Sequence, residues 1–295
     1  MRLRPFEFFH PLSLQEGLDL LDRYGEEAQP IAGGTDLIVQ MKQRLIRPPR
    51  LVNLLSLSEL RKIEKTDQGL RIGALTRHAE IEGSALVREG WSLLARSCHK
   101  VGSPQIRHLG TVGGNLCNAS PAADTAPALL VLGAEVSLSS KKGERRIPLE
   151  AFFKGPGQTV LREGELLKEV IVPGPPEGSR FSYLKLGRRK SMDLALVSVA
   201  VLLTLGGGDQ RFEKVRIGLG SVGPTPIRAR EAEKVIEGGP VKEEAIREAA
   251  EVASRHCEPI TDIRASAEYR REMVKVLVAR AIQDCLGLPI PPTGI

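Results

Sequence analysis

The chain has 295 residues, a length that predicts two or three domains. Hydrophobic residues make up 41% and charged residues 26%, the balance of an ordinary globular protein. The net charge of +6 comes from basic residues scattered among acidic ones, and aromatic residues are only 4%, so the composition argues against nucleic-acid binding. No apolar run reaches the roughly 18 residues of a membrane span. No secretory h-region is present either, which predicts a cytoplasmic location.

The first part of the chain predicts a small α/β lobe. The predicted elements are a strand over 5–9, a helix from Ser13 to Gly25, a strand over 30–32, a helix over 36–44 and a strand over 50–55. Glu16 stands three residues after Ser13, as in a capping box, and Pro48-Pro49 follows the second helix as a stop signal.

The rest of the chain predicts more helix, a hairpin and then long strands followed by helices, an α+β arrangement. The predicted strands cover 70–74, 135–139, 146–148, 166–173, 181–186, 195–205 and 212–219. The predicted helices cover 78–90, 91–101, 124–133, 228–237, 242–257 and 265–286. The stretch 173–178 is the clearest linker, and 206–209 is a glycine-rich turn between two strands.

Two glycine-rich segments, over 31–36 and 110–115, carry the clearest binding signal. Each places adjacent glycines beside a small hydroxyl residue and a short polar side chain. Glycine lets the main chain approach a ligand closely, and successive exposed N–H groups form a concave nest for an anion such as phosphate. Two such segments suit a ligand with two joined phosphates. Neither matches the G-x-G-x-x-G or G-x-x-x-x-G-K-[ST] fingerprint, and a lone Gly-Gly pair is an ordinary turn signal.

Polar residues near and after the second segment extend this candidate site. Thr111, Asn115 and Ser120 offer hydroxyl and amide groups to phosphate oxygens. Asp124, at the predicted start of a helix, has two interpretations that the spacing does not separate. It is either a helix N-cap or a carboxylate that accepts hydrogen bonds from ribose or ribityl hydroxyls. Lys185 lies in an apolar predicted strand, where a cation needs a partner, and the first expectation is a salt bridge.

The remaining side chains give no sign of a metal site or a catalytic nucleophile. The four cysteines lie far apart without C-x-x-C pairs, so we expect reduced, mostly buried thiols and no metal held by this chain. The five histidines lack metal spacing, and we expect ordinary surface or hydrogen-bonded roles for them. The side chains offer binding more clearly than catalysis, which predicts a bound cofactor that carries the chemistry. The cysteines are Cys98, Cys117, Cys257 and Cys285, and the histidines are His10, His78, His99, His108 and His256.

Four motifs in this order resemble the FAD-binding subunit of molybdenum hydroxylases, a family that includes xanthine dehydrogenase, aerobic carbon monoxide dehydrogenase and 4-hydroxybenzoyl-CoA reductase. The motifs are Ala32–Asp36, Gly110–Asn115 with Ala119–Asp124, Phe181–Lys185 with Arg188–Asp193, and Asp262–Arg270. The resemblance covers essentially the whole chain. It implies an α+β protein with two α/β lobes, over 1–56 and 57–176, that form an FAD-binding domain. A C-terminal α+β domain with an antiparallel sheet and helices would cover 177–288.

The resemblance also implies which residues hold FAD. Segments 31–36 and 111–115 would bind the pyrophosphate, and Asp124 would contact ribityl or ribose hydroxyls. Val101, the main chain near Leu167, and Lys185 would approach the flavin. A nearby cation stabilises negative charge on the reduced ring, so the resemblance favours a ligand contact for Lys185 over a salt bridge. With Ser120, the predicted cofactor-binding residues are Ile31, Ala32, Gly33, Gly34, Thr35, Asp36, Val101, Thr111, Val112, Gly113, Gly114, Asn115, Ser120, Asp124, Leu167 and Lys185.

By this resemblance the chain is the flavoprotein module of an electron relay. A large partner subunit would bind molybdopterin and a small one would carry [2Fe–2S] clusters, in a heteromer that is often a dimer of heterotrimers. Electrons would pass between these clusters and an acceptor such as NAD or a quinone. Two alternatives are a stand-alone FAD-dependent reductase and a flavin-free assembly subunit. The intact glycines, Asp124 and Lys185 argue against the assembly subunit.

The sequence departs from patterns of this family and of related folds at specific places. It has no inserted cysteine loop like the one that holds a [4Fe–4S] cluster in the β subunit of 4-hydroxybenzoyl-CoA reductase. Leu194 stands where some relatives place a tyrosine over the flavin. Thr35 occupies a position where covalent flavoproteins of related fold often have histidine, which predicts non-covalent FAD.

Overall fold

The computed structural model describes residues 3–189 and 191–289. Lys190, which belongs to one of the four sequence motifs, lies outside the described residues. Within the described ranges, no helix is both long enough and apolar enough to cross a membrane. The chain is a mixture of helices and sheets, so the predicted α+β fold class is confirmed.

The N-terminal part of the chain forms a three-stranded parallel sheet with β3 in the middle. Its elements are β1 (Glu7–Phe9), α1 (Leu14–Tyr24), β2 (Ala28–Ile31), α2 (Leu37–Lys42) and β3 (Arg50–Asn53). The Ser13 hydroxyl accepts a hydrogen bond from the Glu16 N–H at 3.2 Å, as the capping signal predicts. The first glycine-rich segment leaves the carboxyl end of β2 directly, so the parallel sheet fixes where that segment begins.

The middle of the chain builds a five-stranded antiparallel sheet in the order β4-β5-β10-β6-β7, with helices packed on it. Its elements are β4 (Ile63–Thr66), β5 (Gly69–Gly73), α3 (His78–Gly83), α4 (Ala85–Gly90), α5 (Ser92–His99), α6 (Pro104–Leu109), α7 (Val112–Cys117), α8 (Thr125–Val131), β6 (Glu135–Ser140), β7 (Gly143–Pro148), β8 (Phe153–Gly155), β9 (Gln158–Thr159) and β10 (Leu166–Val172). Within the residues that the structure describes, strands β8 and β9 pair only with each other.

Two predictions for this region are wrong. The helix expected over 78–90 is broken at Ser84, whose ψ of +123° is extended, and the Ser84 hydroxyl caps α4 by accepting from the Val87 N–H at 3.4 Å. The segment 110–115, expected to be a loop, begins helix α7, because the Thr111 hydroxyl accepts from the Gly114 N–H at 3.1 Å. In both cases the hydroxyl of a Ser or Thr accepts a hydrogen bond from a free N–H group in the first turn of a helix. The spacing of apolar residues alone does not reveal where these helices begin.

The C-terminal part is a four-stranded antiparallel sheet in the order β11-β12-β13-β14, followed by three helices. Its elements are β11 (Arg180–Leu186), β12 (Val197–Gly206), β13 (Arg211–Gly220), β14 (Ile227–Arg228), α9 (Arg230–Ile236), α10 (Glu243–Arg255) and α11 (Ala267–Cys285). The predicted long strands, their connecting turn and the three helices are present, with bounds shifted by a few residues.

Both faces of this last sheet are covered. Val199 and Val201 of β12 pack into the core that α9, α10 and α11 build, while Ala200 and Leu202 face the core of the middle region. On the second side, α8 approaches β13 so closely that a Cβ at Gly218 would lie 2.5 Å from the Pro127 oxygen. Glycine is therefore required at this crossing. The contact fixes the start of α8 beside the C-terminal sheet.

Candidate functional site

A cleft of about 610 Å³ lies between the two glycine-rich segments. The first segment forms one side, and α6, α7 and the residues that lead into α8 form the other. Met192, Asp193 and Leu194 line its mouth. The predicted binding residues that line this cleft are Ile31, Ala32, Gly33, Gly34, Thr35, Asp36, Val101, Thr111, Gly114, Asn115, Ser120 and Asp124.

Four predicted binding residues do not line the cleft. Val112 is fully buried, and its N–H donates to the Thr76 oxygen at 3.0 Å. Gly113 packs against the end of β5, where a Cβ would lie 2.6 Å from the Ala74 Cβ. Leu167 is a buried residue of β10. Lys185 lies on β11 and contacts Asp124, which is part of the wall of the cleft.

The first glycine-rich segment carries open hydrogen-bond donors. Within the described ranges, no hydrogen bond is donated by the main-chain N–H groups of Gly33, Gly34, Thr35 or Asp36. Gly34 adopts a φ of +68°, the left-handed conformation that favours glycine. Consecutive unpaired N–H groups around such a residue are the arrangement that binds an anion. The anion nest predicted for the segment 31–36 is therefore present as a geometry.

In the described residues, the second segment has no run of open donors, because only its Thr111 N–H donates no hydrogen bond. The Val112 and Gly113 N–H groups donate to main-chain oxygens at the end of β5, and the next two donate to the hydroxyl and carbonyl oxygens of Thr111. The expectation of a second nest of successive open N–H groups over 110–115 is wrong, because the N–H groups of residues 112–115 all donate to protein oxygens. The donors that remain are the Thr111 N–H and the Asn115 amide, whose oxygen accepts from the Thr125 hydroxyl at 2.7 Å and whose nitrogen is left as a donor.

The two segments are in direct contact. A Cβ at Gly33 would lie 2.0 Å from the Leu109 oxygen, so only glycine permits this approach. Side chains add a second link, because Asn118 donates to Asp36 at 3.2 Å and accepts from Gln40 at 3.1 Å. Partial burial raises the pKa of Asp36, opposed by a hydrogen bond from Thr35. These contacts hold the floor of the cleft together.

At the far end of the cleft, Asp124 is held by two residues of β11. Successive side chains of a strand alternate between faces, so Tyr183 and Lys185 project from the same face toward the start of α8. Lys185 Nζ donates to the Asp124 carboxylate at 2.7 Å and to the Lys100 oxygen at 3.0 Å. The Tyr183 hydroxyl donates to the Asp124 main-chain oxygen at 2.8 Å.

This arrangement bears on the alternative interpretations of Asp124 and Lys185. Asp124 occupies the N-cap position of α8, yet its side chain makes no capping hydrogen bond, so the N-cap interpretation is wrong. Lys185 forms the salt bridge that its position in an apolar strand predicts, while a contact with a ligand stays a prediction. Burial raises the pKa of Asp124 to about 6, and Lys185, the largest opposing influence, limits the rise.

His78 is one of the cleft residues that the sequence analysis did not predict to bind a ligand. It is 1% exposed, and within the described residues its Nδ1 atom has no hydrogen-bond partner, contrary to the surface or hydrogen-bonded role expected for it. Burial, with a smaller contribution from Arg107, lowers the pKa of His78 to about 4. No spacing rule marks this residue; the only signal is its position at a predicted helix start.

Residues near the mouth of the cleft complete the site. Leu194 is 46% exposed, and Met192 has a φ of +54° while its N–H donates to the Gly102 oxygen at 3.1 Å. Cys117 also lines the cleft, and burial raises the pKa of its thiol to about 12, as expected for a packed cysteine. In the ranges that the structure describes, no group of three or more His, Cys, Asp or Glu side chains is placed to hold a metal ion.

Comparisons with known proteins match two family models. The FAD binding domain in molybdopterin dehydrogenase matches residues 4–175, and the CO dehydrogenase flavoprotein C-terminal domain matches residues 182–285. The chain is 35% identical to the carbon monoxide dehydrogenase medium chain of Afipia carboxidovorans, over 94% of this chain and 96% of the relative. It is also 35% identical to the glyceraldehyde dehydrogenase medium chain of Sulfolobus acidocaldarius, over 95% of this chain and 98% of the relative.

Solved structures agree with these sequence matches. Carbon monoxide dehydrogenase from Hydrogenophaga pseudoflava superposes with a TM-score of 0.94 at 33% identity, over 97% of this chain and 99% of that chain. Quinoline 2-oxidoreductase from Pseudomonas putida 86 superposes with a TM-score of 0.92 at 32% identity, with the same coverage of 97% and 99%. The chain therefore belongs to the family of FAD-binding oxidoreductase subunits of the molybdopterin dehydrogenases.

Proposed function

We propose that the chain binds FAD non-covalently in the cleft, as the flavoprotein subunit of a heteromeric molybdenum hydroxylase. The observation that carries this proposal is the run of open N–H groups from Gly33 to Asp36 on one wall of the cleft. The oxygens of a diphosphate are hydrogen-bond acceptors, so they match such a run of N–H donors. The volume of the cleft, about 610 Å³, lies in the usual range of cofactor sites.

The remaining groups fit the other parts of FAD. Asn115 and the hydroxyl of Ser120 are polar groups on the wall opposite the nest, where they would add contacts to the diphosphate. Asp124 exposes only a small part of its carboxylate, which would accept from a ribose or ribityl hydroxyl. Val101, which lines the cleft, would then approach the flavin ring.

The part of this chain in the reaction would be to bind FAD, to orient it, and to place a charge near it. When bound, FAD would supply electron transfer between the [2Fe–2S] clusters of a partner subunit and an acceptor such as NAD or a quinone. Lys185 is fixed by Asp124 and by the Lys100 oxygen, so its charge has a defined position near the wall of the cleft. A fixed cation favours added negative charge nearby without further reorganisation.

The proposed partners follow from the relatives. Two of them are named medium chains, a term for one component of a larger enzyme. We include in the proposal a large molybdopterin-binding subunit, a small [2Fe–2S] subunit, a dimer of heterotrimers, a cytoplasmic location and the division of this chain at residues 56 and 176. Co-expression with the neighbouring reading frames followed by size exclusion tests the partners. A chain that reduces an acceptor with bound FAD but elutes alone would support the stand-alone reductase instead.

The cofactor is tested by an absorption spectrum of the purified chain before and after acid precipitation. We expect flavin bands, with FAD released into the supernatant because the attachment is non-covalent. The matched variants are Gly33→Ala, which forces the segments apart, and Gly90→Ala, where a Cβ would meet no atom within 4 Å. Gly90→Ala is expected to retain FAD and Gly33→Ala to lose it. A colourless protein that fails to take up added FAD would refute the proposed cofactor for the isolated chain.

A further inference from the structure

His78 stands where both glycine-rich segments meet. Its main-chain N–H donates to the Gly110 oxygen at 3.1 Å, which joins the start of α3 to the start of the second segment. A Cβ at Gly110 would lie 3.4 Å from the His78 Cδ2 atom and 3.5 Å from the Thr35 hydroxyl oxygen. The Cδ2 edge of the imidazole and the Thr35 hydroxyl therefore flank Gly110, next to the open N–H groups of the first segment.

The two ring nitrogens of His78 have different surroundings. Nδ1 is sealed from solvent and, within the described residues, has no hydrogen-bond partner. Nε2 is bonded to Cδ2, so it lies on the Gly110 side of the ring, and the ring is part of the cleft wall. The described protein groups give Nε2 no hydrogen-bond partner either. The nitrogen on the cleft side is therefore available to a ligand.

The charges around His78 are already paired with one another. Arg107 contacts Glu82 at 2.8 Å, and Glu82 also binds His99 at 2.7 Å. Burial and the nearby Arg107 lower the pKa of His78 to about 4, so the imidazole is neutral near pH 7. A neutral imidazole carries one N–H, and it donates to an anion from Nε2 only when Nδ1 is unprotonated.

We propose that His78 is a cofactor-binding residue whose neutral imidazole donates a hydrogen bond from Nε2 to the diphosphate of FAD. The inference rests on the proposed function, since it requires FAD in the cleft. His78 adds a side-chain donor to the main-chain donors of residues 33–36, on the side of the cleft where the second segment has used most of its own. The neutral ring contributes no positive charge. It would therefore bind the diphosphate through a directed hydrogen bond and would not neutralise its negative charge.

Two amide substitutions separate the ring nitrogens. The amide nitrogen of Gln reaches the position of the imidazole Nε2, while the shorter Asn side chain reaches that of Nδ1. Both substitutions place a carboxamide in the same buried site. His78→Asn therefore serves as the matched control for the free-energy cost of burying a carboxamide there. We expect His78→Gln to bind FAD within about 3-fold of the unmodified chain. His78→Asn is expected to bind about 10- to 100-fold more weakly, the effect of losing a hydrogen bond to a charged group.

The measurement is a titration of the FAD-free full-length chain, followed by the quenching of flavin fluorescence. Urea unfolding of each variant identifies any that is not folded. A second readout, the ¹⁵N shifts of the His78 ring in the unmodified chain, is expected to show Nε2 protonated, Nδ1 unprotonated and the Nε2 signal moved by FAD. Equal FAD affinities of the two variants, or a complex in which Nδ1 is protonated, would overturn the role proposed for His78 but not the proposed FAD binding. An unmodified chain that binds no FAD would overturn both the role of His78 and the proposed function.

Discussion

Replacing Asp124 with Asn is expected to change how the stability of the FAD-free chain depends on pH. The Asp124 side chain is 9% exposed, and its only cationic partner in the described residues is Lys185, at 2.7 Å. Asn keeps the shape of the side chain and an oxygen that accepts from Lys185. It removes the titrating group, so the pH dependence of the difference between the two proteins belongs to this carboxyl.

The size and sign follow from the raised pKa. Burial moves the pKa of Asp124 from 3.8 to about 6, and ionising a carboxyl with that shift costs the folded state about 3 kcal/mol. Well below pH 3.8 the carboxyl is protonated in both the folded and the unfolded chain, so this cost is absent. As the pH rises from about 4 to about 6, the unfolded chain releases its proton first. The stability contribution of the protonated group is therefore lost over this interval.

Urea denaturation of both proteins at several pH values between 4 and 7 measures this effect. The free energy of unfolding of the unmodified chain, minus that of Asp124→Asn, is expected to fall by about 2 kcal/mol between pH 4 and pH 7, because the unfolded carboxyl is already more than half ionised at pH 4. A ¹³C titration of the carboxyl gives the pKa directly. A difference that is constant with pH, or one that grows as the pH rises, would show that Lys185 compensates burial fully and would refute the reasoning.

Three further changes test neighbouring contacts. Thr111→Val removes the hydroxyl that caps α7 and is expected to lower the free energy of unfolding by about 1 kcal/mol, whereas Thr111→Ser keeps most of it. Tyr183→Phe removes a hydrogen bond that lowers the carboxyl pKa of Asp124, so that pKa is expected to rise in a ¹³C titration. Burial raises the pKa of the four cysteine thiols, so they are expected to react with a disulfide reagent only as the chain unfolds; rapid labelling before the urea transition would contradict this.

Local signals in the sequence predicted the ends of the elements well where a single residue type decides the outcome. Ser13 caps α1, and Gly25 ends it with a φ of +51°. The long strands of the C-terminal sheet were predictable because their apolar runs are buried on both faces. The salt bridge of Lys185 was predictable for a related reason, since a cation in such a strand needs a partner.

The sequence did not predict the role of a side chain where contacts between distant parts of the chain decide that role. Asp124 stands at a helix start, which is equally typical of a cap, and only the approach of β11 shows that its carboxylate is committed to Lys185. His78 gave no signal, because its burial depends on α6 and on the second glycine-rich segment, both distant in sequence. A sequence pattern records which residues are present along one element, and these two sites are made by the packing of several.

The glycines show why similar motifs have different uses in this cleft. Gly33 and Gly113 are required by the protein's own packing, the first against the Leu109 oxygen and the second against Ala74. Gly34, with its left-handed φ, turns the main chain so that neighbouring N–H groups stay open. Gly33 permits the close approach of the first segment to Leu109, so both segments line the same cleft. A larger residue at Gly113 is expected to displace α7 and so to weaken the proposed FAD binding, without removing any of the open N–H groups of the first segment.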